Sequence, residues 1–135
     1  MSEKANVDLV NRYIEEVWHD GNVRLLDELF APDYRRHLSP ADEPLDLEGQ
    51  RERIVGFRAA FPDIRFRVED IVADGDRVVF RAVLLGTHEG DFMSIAPTGR
   101  RISVALMDLV RIANGRFAEQ WGGPDLWDIL RQVDG

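Results

Sequence analysis

The sequence predicts an α+β domain in which N-terminal helices pack on a strongly curved, mostly antiparallel β-sheet that encloses a pocket. Three observations predict it. Up to Pro62, apolar residues recur at spacings of three and four, the period of a helix with one buried face. Beyond Pro62 they alternate with polar residues, the period of a strand. Asn114-Gly115 then lies between two alternating runs, where it marks a tight hairpin. Helices followed by antiparallel strands is the order of an α+β domain, and 135 residues suit a single domain, residues 1–135, with a real core.

The elements follow in order. Residues 5–19 predict a helix with Val7, Val10, Tyr13 (or Ile14) and Val17 inward, closed by His19-Asp20-Gly21-Asn22. Trp18 lies beside that stripe, placed for a core or a pocket wall. A second short helix carries Val23, Leu25, Leu26, Leu29 and Phe30 and ends at Ala31-Pro32-Asp33. Tyr34-Arg35-Arg36-His37 reads as a short extended piece. Residues 39–47, with Pro40, Pro44 and several acidic residues, read as a polar loop able to lid a pocket mouth. Residues 48–61 predict a third helix with Ile54, Phe57, Ala60 and Phe61 inward, stopped by Pro62.

In the first strand Ile64, Phe66, Val68 and Asp70 alternate with Arg65, Arg67 and Glu69 before the turn Ala73-Asp74-Gly75-Asp76. The next strand has two largely apolar faces: Val79, Arg81, Val83 and Leu85 on one, and Val78, Phe80, Ala82, Leu84, Gly86 and His88 on the other. Such a sheet is covered on both sides or curled round a cavity. After a connection over 89–99, residues 100–123 form a long hairpin. Pro124 to Gln132 predicts a short amphipathic helix with Pro124 in its first turn.

One residue in the hairpin is out of place. Ile102, Val104, Leu106, Asp108, Val110 and Ile112 share a face, an apolar stripe with one carboxylate in it. A buried carboxylate needs a partner, a proton or a function. Asp108 is therefore either a structural anchor bonded to an Arg or a backbone amide, or a working acid/base.

Composition narrows the classes. A formal net charge of −8 disfavours nucleic acid and anionic membrane surfaces as partners. The absence of cysteine removes disulfides, thiolate nucleophiles and cysteine metal sites. His19, His37 and His88 lack metal-ligand spacing, so no metal site is expected. With no signal-like N-terminus and no apolar run near the ~20 residues of a membrane helix, a cytoplasmic protein is the expectation.

Four pieces, in order, carry a resemblance: A-P-D-Y-R-R-H (31–37), F-P-D-I-R-F-R-V-E-D (61–70), G-T-H-E-G-D-F (86–92) with P-T-G-R (97–100), and R-I-A-N-G-R-F-A-E-Q-W-G-G-P-D-L-W-D-I-L-R-Q (111–132). With the first helix they span nearly the whole chain. The chain resembles the SnoaL-like polyketide cyclases and their ester-cyclase relatives in the NTF2-like superfamily. The resemblance implies a cone-shaped α+β fold, a deep apolar pocket, a homodimer through the sheet, and no metal or organic cofactor. It implies intramolecular aldol closure of a polyketide methyl ester, with an aspartate on the last strand as acid/base and a histidine on the strand before it. Anchored on R-I-A-N-G-R and P-D-L, that aspartate falls on Gly122 and that histidine on Asp108. His88 matches a further histidine of the cyclases in the G-x-H segment.

Whether Asp108 can stand in depends on the hairpin register. A two-residue Asn114-Gly115 turn pairs Asp108 with Trp121; a three-residue loop pairs it with Gln120 and puts Gly122 on its face. Three function classes remain. One is a cyclase, isomerase or lyase acting on an apolar carbonyl compound, with Asp108 as acid/base, His88 or His37 as its partner, and Trp18, Phe57, Phe80 and Trp121 as the apolar wall. The others are a cofactor-free hydroxylase or oxygenase, and a module that binds an apolar ligand without turnover. Nuclear transport is suggested by the superfamily name alone, and fold does not fix function.

Overall fold

A computed structural model describes residues 2–134. Helix α1 (Glu3–Arg12) starts where the Ser2 hydroxyl accepts a hydrogen bond from the Ala5 amide at 3.0 Å. The helix widens into a π-helical turn over Tyr13–His19. Its i→i+5 pattern brings residues five apart together, and the Trp18 indole N–H donates to the Tyr13 hydroxyl at 2.8 Å. A 3₁₀ turn (Val23–Leu25) and a short α2 (Leu26–Leu29) lead into β1 (Phe30–His37). Helix α3 (Leu47–Ala60) follows, capped by Asp46, whose carboxylate accepts from the Gly49 amide. Then come β2 (Arg65–Asp74), β3 (Arg77–Thr87), β4 (Arg101–Ala113), β5 (Arg116–Pro124) and α4 (Leu126–Asp134).

The five strands form one open sheet in the order β1-β5-β4-β3-β2. Three pairings are antiparallel and β1 runs parallel to β5, so the sheet is mixed within an α+β domain. Its inner face carries Val78, Phe80 and Leu84 from β3 and Val104, Leu106 and Val110 from β4, all buried. Val10, Ile14 and Val17 from the first helix and Ile54 and Phe57 from α3 close over them. Paired strands put opposed residues on the same face, so this register decides what meets in the interior.

Four details depart from the sequence reading. Ala31-Pro32-Asp33 does not end a helix but belongs to β1; the β1–β5 register is broken between Phe30 and Arg35, where the missing proline N–H forfeits no ladder bond. Pro124 ends β5, and α4 begins at Leu126 after Asp125 accepts from the Trp127 amide. The hairpin follows neither expected register. Asn114 and Gly115 both have positive φ and form the two-residue turn, with Ala113 opposite Arg116. Ala118 is then extra, since Ile112 pairs with Phe117 and Arg111 with Glu119. This bulge sets Asp108 opposite Gly122. Finally, β4 outruns β5 beyond Leu106, and Gln132 of α4 bonds both the amide and the carbonyl of Ser103 along that free edge.

Candidate active site

Asp108 points into the interior between Leu106 and Val110 and is 4 % exposed. Its Oδ2 accepts from Arg36 Nη2 at 3.0 Å and from Gln120 Nε2 at 2.7 Å. Gln120 Oε1 accepts from the Tyr34 hydroxyl at 2.8 Å, and Arg36 Nη2 also donates to the Gly122 carbonyl at 3.0 Å. The backbone explains the convergence. Tyr34 and Arg36 alternate inward on β1, whose parallel register sets Arg36 beside Gln120. The Ala118 bulge turns Gln120 and Gly122 to the Asp108 face. Asp108 Oδ1 has no hydrogen-bond partner among the described residues.

Arg36 is 2 % exposed. Burial opposes its charge, but the adjacent Asp108 carboxylate, together with the Tyr34 and Tyr13 hydroxyl groups, outweighs this and leaves the guanidinium pKa above its ordinary value. The pair is thus a buried, hydrogen-bonded ion pair, in which removing either member strands the other.

Tyr13, Trp18, Arg36, Arg53, Phe57, Phe66, Leu84, Leu106, Asp108 and Pro124 line the cavity around this network. The free space at its centre is about 10 Å³, close to the room one water needs. Where the resemblance implied a deep apolar pocket, the structure has a narrow interior into which two guanidinium groups project. An open cleft of about 370 Å³ adjoins it, lined by Leu38, Arg53, Gly122, Gly123, Pro124, Asp125 and Leu126. Arg53 and Pro124 border both spaces.

Two further groups complete the chemistry. The Tyr13 hydroxyl accepts from Trp18 Nε1 at 2.8 Å and from Gln50 Nε2 at 3.1 Å. Both lone pairs are engaged, so its own proton is the group left to donate. Burial raises the Tyr13 pKa, which keeps that proton in place. Arg53 projects from α3 with its guanidinium carbon 5.1 Å from the Phe57 ring centre. Among the described residues no carboxylate lies within 4.0 Å of it. Partial burial, and then repulsion from Arg36, lower its pKa to about 10, so it is cationic at neutral pH. The interior therefore holds two cations and one carboxylate.

Of the residues singled out from sequence, Asp108, Trp18 and Phe57 meet at this cavity. The Trp18 ring packs 5.9 Å from Phe57 and 4.7 Å from Phe66. Phe80 pairs with Asp108 across the strands and is fully buried, but it packs in the core and is not among the cavity's lining residues. His88 is also fully buried, yet its Nδ1 lies 3.0 Å from Thr98 Oγ1 and its ring packs on Phe61, away from the lining of the Asp108 cavity. His37 alternates with Arg36 to the opposite side of β1. Its Nε2 lies 2.7 Å from Glu119 Oε2 and its ring stacks on Trp121 at 5.2 Å. The sequence reading missed Arg36, Gln120, Tyr13 and Arg53. Arg36 had a signal: it shares a strand face with Tyr34. Arg53 had one too, lying four residues before the inward Phe57 on a helix. Among the described residues no group of three or more His, Asp or Glu side chains is placed to hold a metal. No described helix is long and apolar enough to cross a membrane.

Residues 8–133 match the SnoaL-like polyketide cyclase family. The chain belongs to that family. It is 31 % identical over 122 residues to nogalonic acid methyl ester cyclase of Streptomyces nogalater, covering 86 % of this chain and 88 % of that one. Among solved structures it is similar to IdmH of Streptomyces antibioticus, a candidate polyketide cyclase, with 33 % identity, a TM-score of 0.83 and coverage of 96 % and 99 %. It is also similar to AclR of Streptomyces galilaeus, a candidate hydroxylase, with 26 % identity, a TM-score of 0.88 and coverage of 98 % and 83 %. The SnoaL-like family acts on small molecules, and the described α+β fold is that of these neighbours.

Proposed function

We propose that this SnoaL-like chain is an acid/base enzyme that closes a ring by an intramolecular aldol reaction on an apolar carbonyl compound, with Asp108 as the acid/base. The observation that carries the reading is the free Oδ1 of a buried aspartate whose other oxygen is fixed by Arg36 and Gln120. A carboxylate held at one oxygen is oriented at the other. In the proposed sequence the side chains between the narrow cavity and the adjoining cleft part to admit the reacting end of the substrate, and Oδ1 takes a proton from the carbon beside a carbonyl. The resulting enolate carbon forms a carbon–carbon bond to a second carbonyl of the same molecule, and Asp108 returns the proton to the new alkoxide. Tyr13, its lone pairs filled, donates its proton as a hydrogen bond to the enolate oxygen. Trp18 and Phe57 provide the apolar wall. His88 and His37, each bonded elsewhere, receive no step. Gly122, where the resemblance implies the family's acid/base, lies directly opposite Asp108, which supports a stand-in role for Asp108.

The test is ring closure of nogalonic acid methyl ester, the compound named for the S. nogalater relative, with other polycyclic ketones alongside it. Asp108→Asn is expected to lose about 10²-fold or more of the wild-type rate, the scale of general acid–base catalysis. Turnover that survives the substitution would remove Asp108 from the mechanism.

The likeness to AclR favours a second reading, cofactor-free hydroxylation at the same site. Substrate consumption that stops when oxygen is removed would favour it over ring closure. For assembly we propose a homodimer through the outer sheet face, where Met107 is 55 % exposed among Val79, Val83 and Leu109.

A further inference from the structure

Gln120 is a link of two-sided chemistry in the network around Asp108. A side-chain amide presents an acceptor on one side and a donor on the other, and a half-turn exchanges them. The groups it joins are two-sided as well. A tyrosine hydroxyl donates or accepts, and a carboxyl group accepts when ionised and donates when protonated. Two arrangements follow. In one, Tyr34 donates to Oε1 and Nε2 donates to a charged Asp108. In the other, Nε2 donates to Tyr34 and a protonated Asp108 donates to Oε1.

The structure has the first, with the Tyr34 hydroxyl 2.8 Å from Gln120 Oε1 and Gln120 Nε2 2.7 Å from Asp108 Oδ2. Its cause lies on β1. Tyr34 and Arg36 are two residues apart on that strand, both turned inward and both buried. Arg36 lies close enough for its charge to act on the phenol, which favours the oxygen lone pairs on the Arg36 side and the proton on the Gln120 side. Burial raises the Tyr34 pKa well above its ordinary value and keeps that proton in place. A half-turn of the Gln120 amide would then set Nε2 against the Tyr34 proton and Oε1 against the carboxylate, and each mismatch strands a buried polar group. The titratable and charged groups that face Asp108 are Tyr34 and Arg36 from β1, Tyr13 from the first helix and Arg53 from α3. Strands β3 and β5 present Phe80, Gly122 and Gln120. Tyr34 reaches the carboxylate through an amide whose direction it sets.

We infer that Tyr34 is a positioning residue for Asp108: by fixing the direction of the Gln120 amide, it holds Asp108 as a carboxylate whose Oδ1 is free to take a proton. The inference rests on the acid/base role proposed for Asp108 and adds what keeps that base unprotonated.

The test is Tyr34→Phe, which removes the hydroxyl and retains the ring that packs 4.3 Å from Phe30. Gln120 is then free to turn, and a protonated Asp108 finds an acceptor in Oε1. The acid limb of the rate–pH profile for ring closure should move to higher pH, to a proton concentration about tenfold lower, the scale of one hydrogen bond. In a Gln120→Leu background Tyr34→Phe should move it no further. A purely structural Tyr34 would leave the limb in place in both backgrounds. Nuclear magnetic resonance reads the same event without turnover. The Gln120 side-chain amide signals, assigned by their absence in Gln120→Leu, should shift as Asp108 takes up its proton, and in Tyr34→Phe they should do so at the same higher pH. Where Tyr34→Phe does not fold, the wild type decides: the Gln120 Nε2 protons should lie downfield at neutral pH, bonded to a carboxylate, and move upfield in Asp108→Asn. An acid limb that stays in place in Tyr34→Phe overturns the inference. So does one that moves as far in the Gln120→Leu background, or Gln120 amide signals that do not respond to Asp108. Amide signals that behave as expected in a chain without ring-closure activity uphold it and count against the cyclase reading alone.

Discussion

Substitution of Gly122 tests how closely the hairpin is built around a missing side chain. Gly122 has a φ of +104°, a conformation L side chains rarely adopt. A Cβ there would lie 2.1 Å from the Met107 carbonyl oxygen and 3.2 Å from both Cα and Oδ1 of Asp108. The near atom is backbone of a paired strand, so β4 and β5 must separate, which also disturbs the Arg36 bond to the Gly122 carbonyl. Backbone strain contributes about 1–3 kcal/mol and overpacking about 1–3 kcal/mol. Gly122→Ala should therefore lose about 3 kcal/mol, or roughly 10 °C of melting temperature in a chain of this size. Gly122→Asp adds a second carboxylate beside Asp108 and should lose more. Gly75→Ala is the control: φ is +61° but open space surrounds the site, leaving about 1 kcal/mol of strain. Urea unfolding followed by tryptophan fluorescence measures all three. A Gly122→Ala protein within about 0.5 kcal/mol of wild type, the range of an ordinary surface change, would show that the hairpin relaxes freely and would refute this reasoning.

Other expectations follow from the same contacts. Arg36→Met strands Asp108 in the interior and should destabilise by about 3–5 kcal/mol, whereas Arg53→Met removes a cation that has no carboxylate partner among the described residues and should not lower the melting temperature; parallel thermal melts compare them. Partial burial acts to raise the Glu119 pKa, but hydrogen bonds from His37 and Arg111 outweigh it and hold the carboxyl below its ordinary 4.5. Its stabilising contribution is therefore complete above about pH 4.5 and lost as pH falls through the folded value, so Glu119→Gln should flatten the acid limb of a stability–pH curve. Met107→Arg on the exposed outer face should convert the proposed homodimer to monomer, read by light scattering at micromolar concentration.

The sequence reading carried far where one period ruled a segment. Val78, Phe80, Ala82 and Leu84 alternate inward as their spacing predicts, and Asp108 shares the inner face with Leu106 and Val110. It failed where the outcome depended on contacts distant in sequence. The Ala118 bulge leaves no mark in an otherwise regular alternation, yet it sets which β5 residues face Asp108. The ion pair joins residues 72 positions apart, and periodicity alone does not pair Arg36 on β1 with Asp108 on β4. His37 and His88 drew attention because histidine so often does chemistry at neutral pH. The strand parity that turns Arg36 inward is the same parity that turns His37 out.

The most direct test is the ring-closure rate of Asp108→Asn against wild type, at a temperature where near-ultraviolet circular dichroism shows both folded. That control matters because the substitution also removes the counter-charge of Arg36. A loss of about 10²-fold or more with native packing retained is the predicted result. A folded Asp108→Asn protein that turns over at the wild-type rate would contradict it, and would leave Asp108 as the buried anchor of Arg36.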